Sequence, residues 1–430
     1  MKKRLLSALC AVMLLICAIP MASAQTGDAA RRADALKVLH LLSEDPGRDL
    51  TAPATRAQAA VLLVRLAGGE KKPDTDGWFA GFRDVPDWAR TAVNYANRRG
   101  WISGVSNVQF DPNGHLNADA WCAMLLRMLG YSDKTGDFEI SDAAAFAWRI
   151  GLTGRQLIDI LSMGDLAESI YDALDFCYKG TETTVLSRLM DLGVCTASAA
   201  NALGLLNKDY TARQLADRYL SAAFQLSLYE TEEQVHDEVS SADASGFFIS
   251  ADGLAVTNYH SIEDSIKATA TLLNGETYEV ERVLYYDTGI DIAVIKVSQT
   301  NQSRRTTSAF NHLCLVGTAD IRPGDPVYAI GNPLGLGLAI SSGIIGSTAH
   351  ELDRYALPCI VNSADISRGS SGGALMNAHG QVIGVTSGAY TYGNNMYLAV
   401  PVDPVMAADL TVSGWTLKEV KAIEAVKDKD

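Results

Sequence analysis

Two kinds of hydrophobic spacing divide the chain near residue 215. Before it, Leu, Ala and Val recur at helical intervals with Arg and Asp between them. After it, short β-rich runs alternate with glycines, among them Gly246-Phe247-Phe248-Ile249, Ala293-Val294-Ile295 and Val382-Ile383-Gly384-Val385. Helices followed by strands predict separate domains, all-α and then all-β, rather than one alternating α/β unit. The helical half also repeats. Thr55-Arg56-Ala57-Gln58 leads into Leu62-Leu63-Val64-Arg65-Leu66-Ala67-Gly68, and Asn117-Ala118-Asp119-Ala120 leads into Met124-Leu125-Leu126-Arg127-Met128-Leu129-Gly130, an offset of 62 residues (117 − 55). Each predicted helix keeps an apolar face, an arginine at the same place and a terminal glycine suited to a C-cap. A weaker echo sets Tyr95-Ala96 and Arg98-Arg99-Gly100 against Phe146-Ala147-Trp148-Arg149-Ile150-Gly151. Such a period predicts stacked modules sharing one core.

Length and composition narrow the picture. At 430 residues the chain exceeds one ordinary core, and 48% hydrophobic with 20% charged residues is globular composition. A net charge of −14 with no basic stripe argues against a nucleic-acid partner. At the N-terminus Lys2, Lys3 and Arg4 precede an apolar run from Leu5 to Ile19, then Pro20 and Ala22-Ser23-Ala24. That order predicts a secretory signal peptide over 1–24, cleaved before Gln25, and the run is shorter than the ~20 residues a bilayer needs. The protein is therefore expected outside the cell, without a membrane span once the signal is removed. Cys122, Cys177, Cys195, Cys314 and Cys359 would remain, an odd and scattered set without CxxC spacing, which speaks against a disulfide framework or a zinc site.

Phe82-Arg83-Asp84-Val85-Pro86, Trp88-Ala89, Tyr95-Ala96, Gly100-Trp101-Ile102-Ser103-Gly104 and Phe110-Asp111-Pro112-Asn113-Gly114 resemble an S-layer homology repeat. The resemblance is strong over 82–131, partial over 32–69 and faint over 137–200. It implies attachment to cell-wall polysaccharide, with Arg56 at the position of the family's glycan-binding arginine. Gln58 stands where that family has glutamate, and Ala118 replaces the arginine in the second repeat. A degenerate helical spacer that binds nothing is the competing reading.

The second half carries the chemistry. Hydrolysing a peptide bond at neutral pH calls for an activated hydroxyl, a histidine to take its proton, a carboxylate to orient that histidine, and paired N–H groups for the oxyanion. In Gly369-Ser370-Ser371-Gly372-Gly373, Ser371 has glycine at both −2 and +1, which favours it over Ser370, and Gly369 allows a tight turn aiming the Gly369 and Ser371 amides at one point. His260 ends the strand-like run Leu254-Ala255-Val256-Thr257-Asn258-Tyr259. Asp291 opens Ile292-Ala293-Val294-Ile295, where a carboxylate is costly to bury without a partner; Asp287, before Gly289, reads as a turn acid. Taken singly, each of the three has an ordinary structural reading: a Gly/Ser loop, a structural histidine, a strand-end acid. Together they follow the His, Asp, Ser order of the chymotrypsin template. Their gaps, 31 residues (291 − 260) and 80 residues (371 − 291), suit two barrels.

Ser245-Gly246-Phe247, Thr257-Asn258-Tyr259-His260, Asp291-Ile292-Ala293-Val294, Gly331-Asn332-Pro333-Leu334-Gly335, Gly369-Ser370-Ser371-Gly372-Gly373 and Leu398-Ala399-Val400-Pro401 resemble the trypsin-like domain of HtrA/Deg-type proteases. The resemblance implies two six-stranded antiparallel barrels with the active site between them. It also implies protein or peptide substrates, no cofactor or metal, and a specificity-pocket wall at Val385-Thr386-Ser387-Gly388. Asp365, six residues before Ser371, matches the specificity aspartate of trypsin and suggests cleavage after Lys or Arg. Thr386 and Ser387 are the other pocket candidates. Arg368 stands near the nucleophile where relatives often carry proline, and is expected to alter the substrate rim. The expected layout is a signal peptide over 1–24, repeats over 25–200, linker and first strand over 201–244, a protease domain over 245–412, and a short helical or frayed tail over 413–430. With so little beyond 412, no peptide-binding PDZ domain is expected. The alternative is a catalytically silent wall-binding scaffold or a chaperone-like protein.

Overall fold

The computed structural model describes residues 29–43, 49–69, 79–181, 183–206, 208–389 and 395–427; the expected signal peptide lies outside the described residues. Two compact units divide the chain. Unit 1 comprises 1–135, 139–147 and 156–206, and unit 2 comprises 136–138, 148–155 and 207–430.

Unit 1 is helical. Its elements are α1 (29–38), α2 (Arg56–Leu66), α3 (Asp87–Arg98), α4 (Ala118–Met128), α5 (Ala143–Arg149), α6 (Met163–Ala173), α7 (Val185–Asp191) and α8 (Ala197–Ala202). Helices α2, α4 and α6 begin alike. Thr55, Asn117 and Ser162 act as N-caps, their side chains accepting from the amides of Gln58, Ala120 and Asp165. Just before each cap the backbone closes a cycle: Ala54 N–H donates to Leu161 O (2.8 Å), Leu161 N–H to Leu116 O (2.9 Å), and Leu116 N–H to Ala54 O (3.0 Å). This ring gives unit 1 a pseudo-threefold centre. His115, bridged to Thr55, belongs to it. The third module starts 45 residues after the second (162 − 117), so a fixed period of 62 misses it. Buried Trp121 donates its indole N–H to Ser169 Oγ at 2.8 Å, joining α4 to α6.

Unit 2 holds two closed antiparallel barrels. The first contains β1 (Ala223–Tyr229), β2 (Ala242–Phe248), β3 (Leu254–Thr257), β4 (Lys267–Leu272), β5 (Thr277–Asp287) and β6 (Ile292–Asn301), ordered β1-β2-β3-β6-β5-β4. The second contains β7 (Pro326–Gly331), β8 (Ala339–His350), β9 (Cys359–Asn362), β10 (Ala374–Asn377), β11 (Val382–Ala389) and β12 (Tyr397–Pro401), ordered β10-β11-β12-β9-β8-β7. Short helices α9 (Ala212–Tyr219), α10 (Glu232–Asp237), α11 (Tyr259–Ile262) and α12 (Asp403–Ala407) connect or flank them, and α13 (Leu417–Lys427) ends the described chain.

The period of two along each strand divides the core. On β6, Ala293, Ile295 and Val297 point into the first barrel beside Phe224, Phe248, Tyr278 and Phe310. Ile292 and Val294 face the other way and join Phe247, Val256, Ile330, Val385 and Val400 in a cluster shared by both barrels. That shared layer brings the ends of β3 and β6 up against the loop before β10.

The first barrel takes β1 and the start of β2 from the segment 201–244, which read as linker and a first strand. The described tail, expected to be helical or frayed, is helical over α13. Trp415 and Val283 exchange backbone hydrogen bonds (2.9 and 2.7 Å), and Leu417 and Val420 of α13 complete the first barrel's core. Among the described residues, no helix is long and apolar enough to cross a membrane.

Candidate active site

β3 ends at Thr257, and the single turn α11 then presents His260. Asp291 stands at the mouth of β6 in a left-handed backbone conformation (φ 60°), which aspartate tolerates better than most side chains. The two residues meet twice: His260 Nδ1 lies 2.8 Å from Asp291 Oδ2, and the His260 amide donates to Asp291 Oδ1 at 2.9 Å. From the second barrel, Ser387 Oγ donates to Asp291 Oδ2 at 2.7 Å. Beneath them, buried Asn258 donates to the Asp291 carbonyl at 2.8 Å and fixes the turn. Burial would raise the Asp291 carboxyl, but hydrogen bonds from His260 and Ser387 and the charge of His260 outweigh it and hold the group below the usual carboxylate range.

Behind Ser387 stands Tyr355, buried, its hydroxyl 2.8 Å from Ser387 Oγ. Burial pushes this phenol up, so it stays protonated and free to donate. Burial also pushes the neighbouring Cys359 thiol up to about 11, with the Asp291 charge adding to the effect.

Ser371 lies on the loop before β10. Its hydroxyl donates to the Ser387 carbonyl at 3.4 Å, and among the described residues no hydrogen bond joins it to His260. The loop itself is held firmly. Gly369 adopts φ +94°, and a β-carbon there would stand 2.6 Å from Asn332 O. Gly372 is equally constrained, because a β-carbon would meet Ser245 O at 2.2 Å. The amides of Ser370, Gly372 and Gly373 donate within the fold, to Ser367 O, Thr386 O and Ser370 O. Those of Gly369 and Ser371 have no acceptor among the described residues and are available to a developing oxyanion.

Buried Ser245 on β2 ties this loop to the first barrel. Its amide donates to Ser371 O (2.8 Å), its hydroxyl donates to Gly369 O (2.7 Å), and the same oxygen accepts from Asn332 N–H (2.8 Å). Sequence reasoning quoted Ser245 in a motif without assigning it a task, and it missed Tyr355 altogether. Neither carries a local signal, since both act across long stretches of chain.

The pocket candidates separate. A cavity of about 180 Å³ beside the loop is lined by Asp365, Ser367, Ser370, Thr386, Ser341 and Ile330, among others. Asp365 is at its edge and accepts a hydrogen bond from the Tyr397 hydroxyl. Thr386 lines the cavity but spends its hydroxyl on Ser370 O (2.7 Å). The Ser387 side chain faces Asp291 instead, because β11 alternates and its hydroxyl is claimed there. Arg56 lies in unit 1, away from the expected catalytic residues in sequence and task. Its guanidinium stacks over Phe110 (4.8 Å) and donates to Phe110 O (2.9 Å) and Ser103 O (2.8 Å).

Unit 2 thus combines two closed antiparallel barrels with an Asp–His pair, a serine on a glycine turn and two open amides, and its residues 244–385 match the trypsin-like peptidase domain family. The particular likeness is to HtrA-type enzymes. Serine protease HTRA1A of Danio rerio is 31% identical over 219 residues, 50% of this chain and 44% of that protein. The probable periplasmic serine endoprotease DegP-like of Halomonas elongata is 35% identical over 177 residues, 40% of this chain and 35% of that one. Mitochondrial serine protease HTRA2 of Bos taurus is 37% identical over 171 residues, 39% and 35% of the two chains. These matches make unit 2 similar to the trypsin-like serine protease domains of HtrA-type proteins, and the chain spans less than half the length of these curated relatives.

Proposed function

We propose that this chain is an exported endopeptidase that cuts proteins through an acyl-enzyme formed on Ser371. The observation that carries the reading is the Asp291 carboxylate, held by three donors against His260, beside the two unclaimed amides of Gly369 and Ser371. When a peptide enters, the Ser371 hydroxyl turns from the Ser387 carbonyl to His260 Nε2 and gives up its proton as Oγ attacks the scissile carbonyl. Asp291 keeps His260 Nδ1 protonated and stabilises the imidazolium. The Gly369 and Ser371 amides receive the oxyanion. His260 then protonates the leaving amine, and water, activated by the same imidazole, hydrolyses the ester.

Two finer readings accompany it. Asp365 at the rim of the small cavity supports a preference for Lys or Arg before the cut. Unit 1 holds the protein to cell-wall polysaccharide outside the cell. Support for this comes from the S-layer homology-like motifs and from a groove of about 490 Å³ in unit 1, where Arg99 lies over the rings of Tyr95 (3.5 Å) and Trp101 (5.8 Å).

The test uses the full chain on casein. Ser371→Ala should reduce hydrolysis by on the order of a millionfold with the melting temperature unchanged, the scale reported for deleting such a nucleophile. A fluorophosphonate should label the parent protein at Ser371 alone. Retained casein cleavage in the variant would refute the assignment, and absence of both cleavage and labelling in the parent would favour the silent scaffold.

A further inference from the structure

Beyond Val385, β11 leaves the edge that pairs with β10. After an irregularity at Ser387, Gly388 and Ala389 pair with β12 on one side only, with register pairs Gly388↔Leu398 and Ala389↔Tyr397. Their other edge lies next to Ser371, whose hydroxyl reaches Ser387 O. An unpaired strand edge accepts an extended peptide by β-addition. A peptide added there places successive side chains about 3.3 Å apart along the strand, alternating in direction.

One side chain waits at this edge. Arg354, exposed on the loop between β8 and β9, brings Nη2 to 3.9 Å from where a β-carbon on Gly388 would stand. It is posed rather than loose, because its guanidinium lies over the Tyr355 ring at 4.5 Å and donates to the Tyr355 hydroxyl. Tyr355 in turn is braced by Ser387. Among the described residues no carboxylate pairs with Arg354. Gly388 leaves the space beside it open. In a protein of net charge −14, a preorganised guanidinium without a carboxylate partner stands out beside a peptide-accepting edge.

We propose that Arg354 is a specificity residue that reads an Asp or Glu side chain of the substrate roughly two to four residues before the scissile bond. The inference rests on the peptidase reading above. An acidic side chain at that point forms a charge-assisted hydrogen bond with the outer edge of the guanidinium, while Tyr355 holds its inner edge. The pair is solvent-exposed, so its effect is a preference rather than an absolute requirement.

The test compares peptides differing only by Glu or Gln at each of those positions. Turnover by the full chain is measured as kcat/KM, and binding is measured separately with the full-length Ser371→Ala protein. At one position Glu should be favoured over Gln by about fivefold in both measurements, the upper range of an exposed ion pair. Arg354→Ala should bring that ratio to one, and Arg354→Lys should keep its direction at reduced size. Equal handling of Glu and Gln peptides, or a preference that survives Arg354→Ala, overturns the proposal. If the parent hydrolyses nothing, the peptidase reading fails, and the binding ratio with and without Arg354 still decides this one.

Discussion

Asp365 lies six residues before Ser371 (371 − 365) and shares its carboxylate with the Tyr397 hydroxyl. That bond occupies one oxygen and leaves the other for a cation entering the 180 Å³ cavity. If Asp365 selects Lys or Arg, Asp365→Ala should cut kcat/KM for basic peptides at least roughly tenfold while sparing others, because the variant loses a charge-assisted bond. A peptide library cleaved with unchanged first-residue preference would end that idea. The same scale explains which residues could be read without a fold. Ser371, His260 and Asp291 announced themselves through glycine spacing, strand ends and chain order. Ser245 and Tyr355 could not, for an isolated serine or tyrosine gains meaning only from the partner that folding delivers. Ser387 was read as pocket wall, and its hydroxyl went to Asp291 instead.

At the scale of elements, the capped helices α2, α4 and α6 meet in a ring of three backbone hydrogen bonds. Two of the three modules were legible because they repeat at one spacing; the third, read only as a faint resemblance over 137–200, keeps the cap and the ring contact but changes its distance along the chain. The ring also bears on Arg56, the first residue of α2, whose guanidinium closes on Phe110 O and Ser103 O. Arg56→Ala should destabilise unit 1 by about 1.5–3 kcal/mol, the range for hydrogen bonds to charged groups. Under the wall-anchoring reading it should also release the protein from purified cell walls. A variant with a lowered melting temperature but undiminished wall retention would leave Arg56 a purely structural residue. The tail taught the converse lesson. It was read as helical or frayed, and only packing on the first barrel turned Leu417 and Val420 into core.

Across the whole molecule the acidic balance sets the response to pH. Asp291 and Asp252 lie below the usual carboxylate range because hydrogen bonds outweigh burial, and Asp133 does so chiefly through its hydrogen bond with Arg127. A carboxyl whose folded pKa is depressed contributes stability above its unfolded value, about 3.9, and loses it as pH falls through the folded value. Thermal melts should therefore hold steady on account of these groups from pH 7 to about 5 and fall below about 4. Asp291→Asn should flatten part of that acid limb, as the group no longer titrates. An identical limb in the variant would mean that Asp291 is not depressed by its partners.

The order of residues alone determined that helices precede strands, that two helical modules repeat, and that an imidazole, a carboxylate and a hydroxyl occur in the order a peptidase uses. These are local or sequential facts, carried by spacing and by glycines that only certain turns require. Tertiary structure decided the rest: the closed ring of three modules, the Ser245 tether between barrels, the Tyr355–Ser387 brace and the placing of Arg354 beside an open strand edge. Each of these joins residues far apart along the chain, and such contacts exist only once burial of the shared core has fixed which surfaces meet.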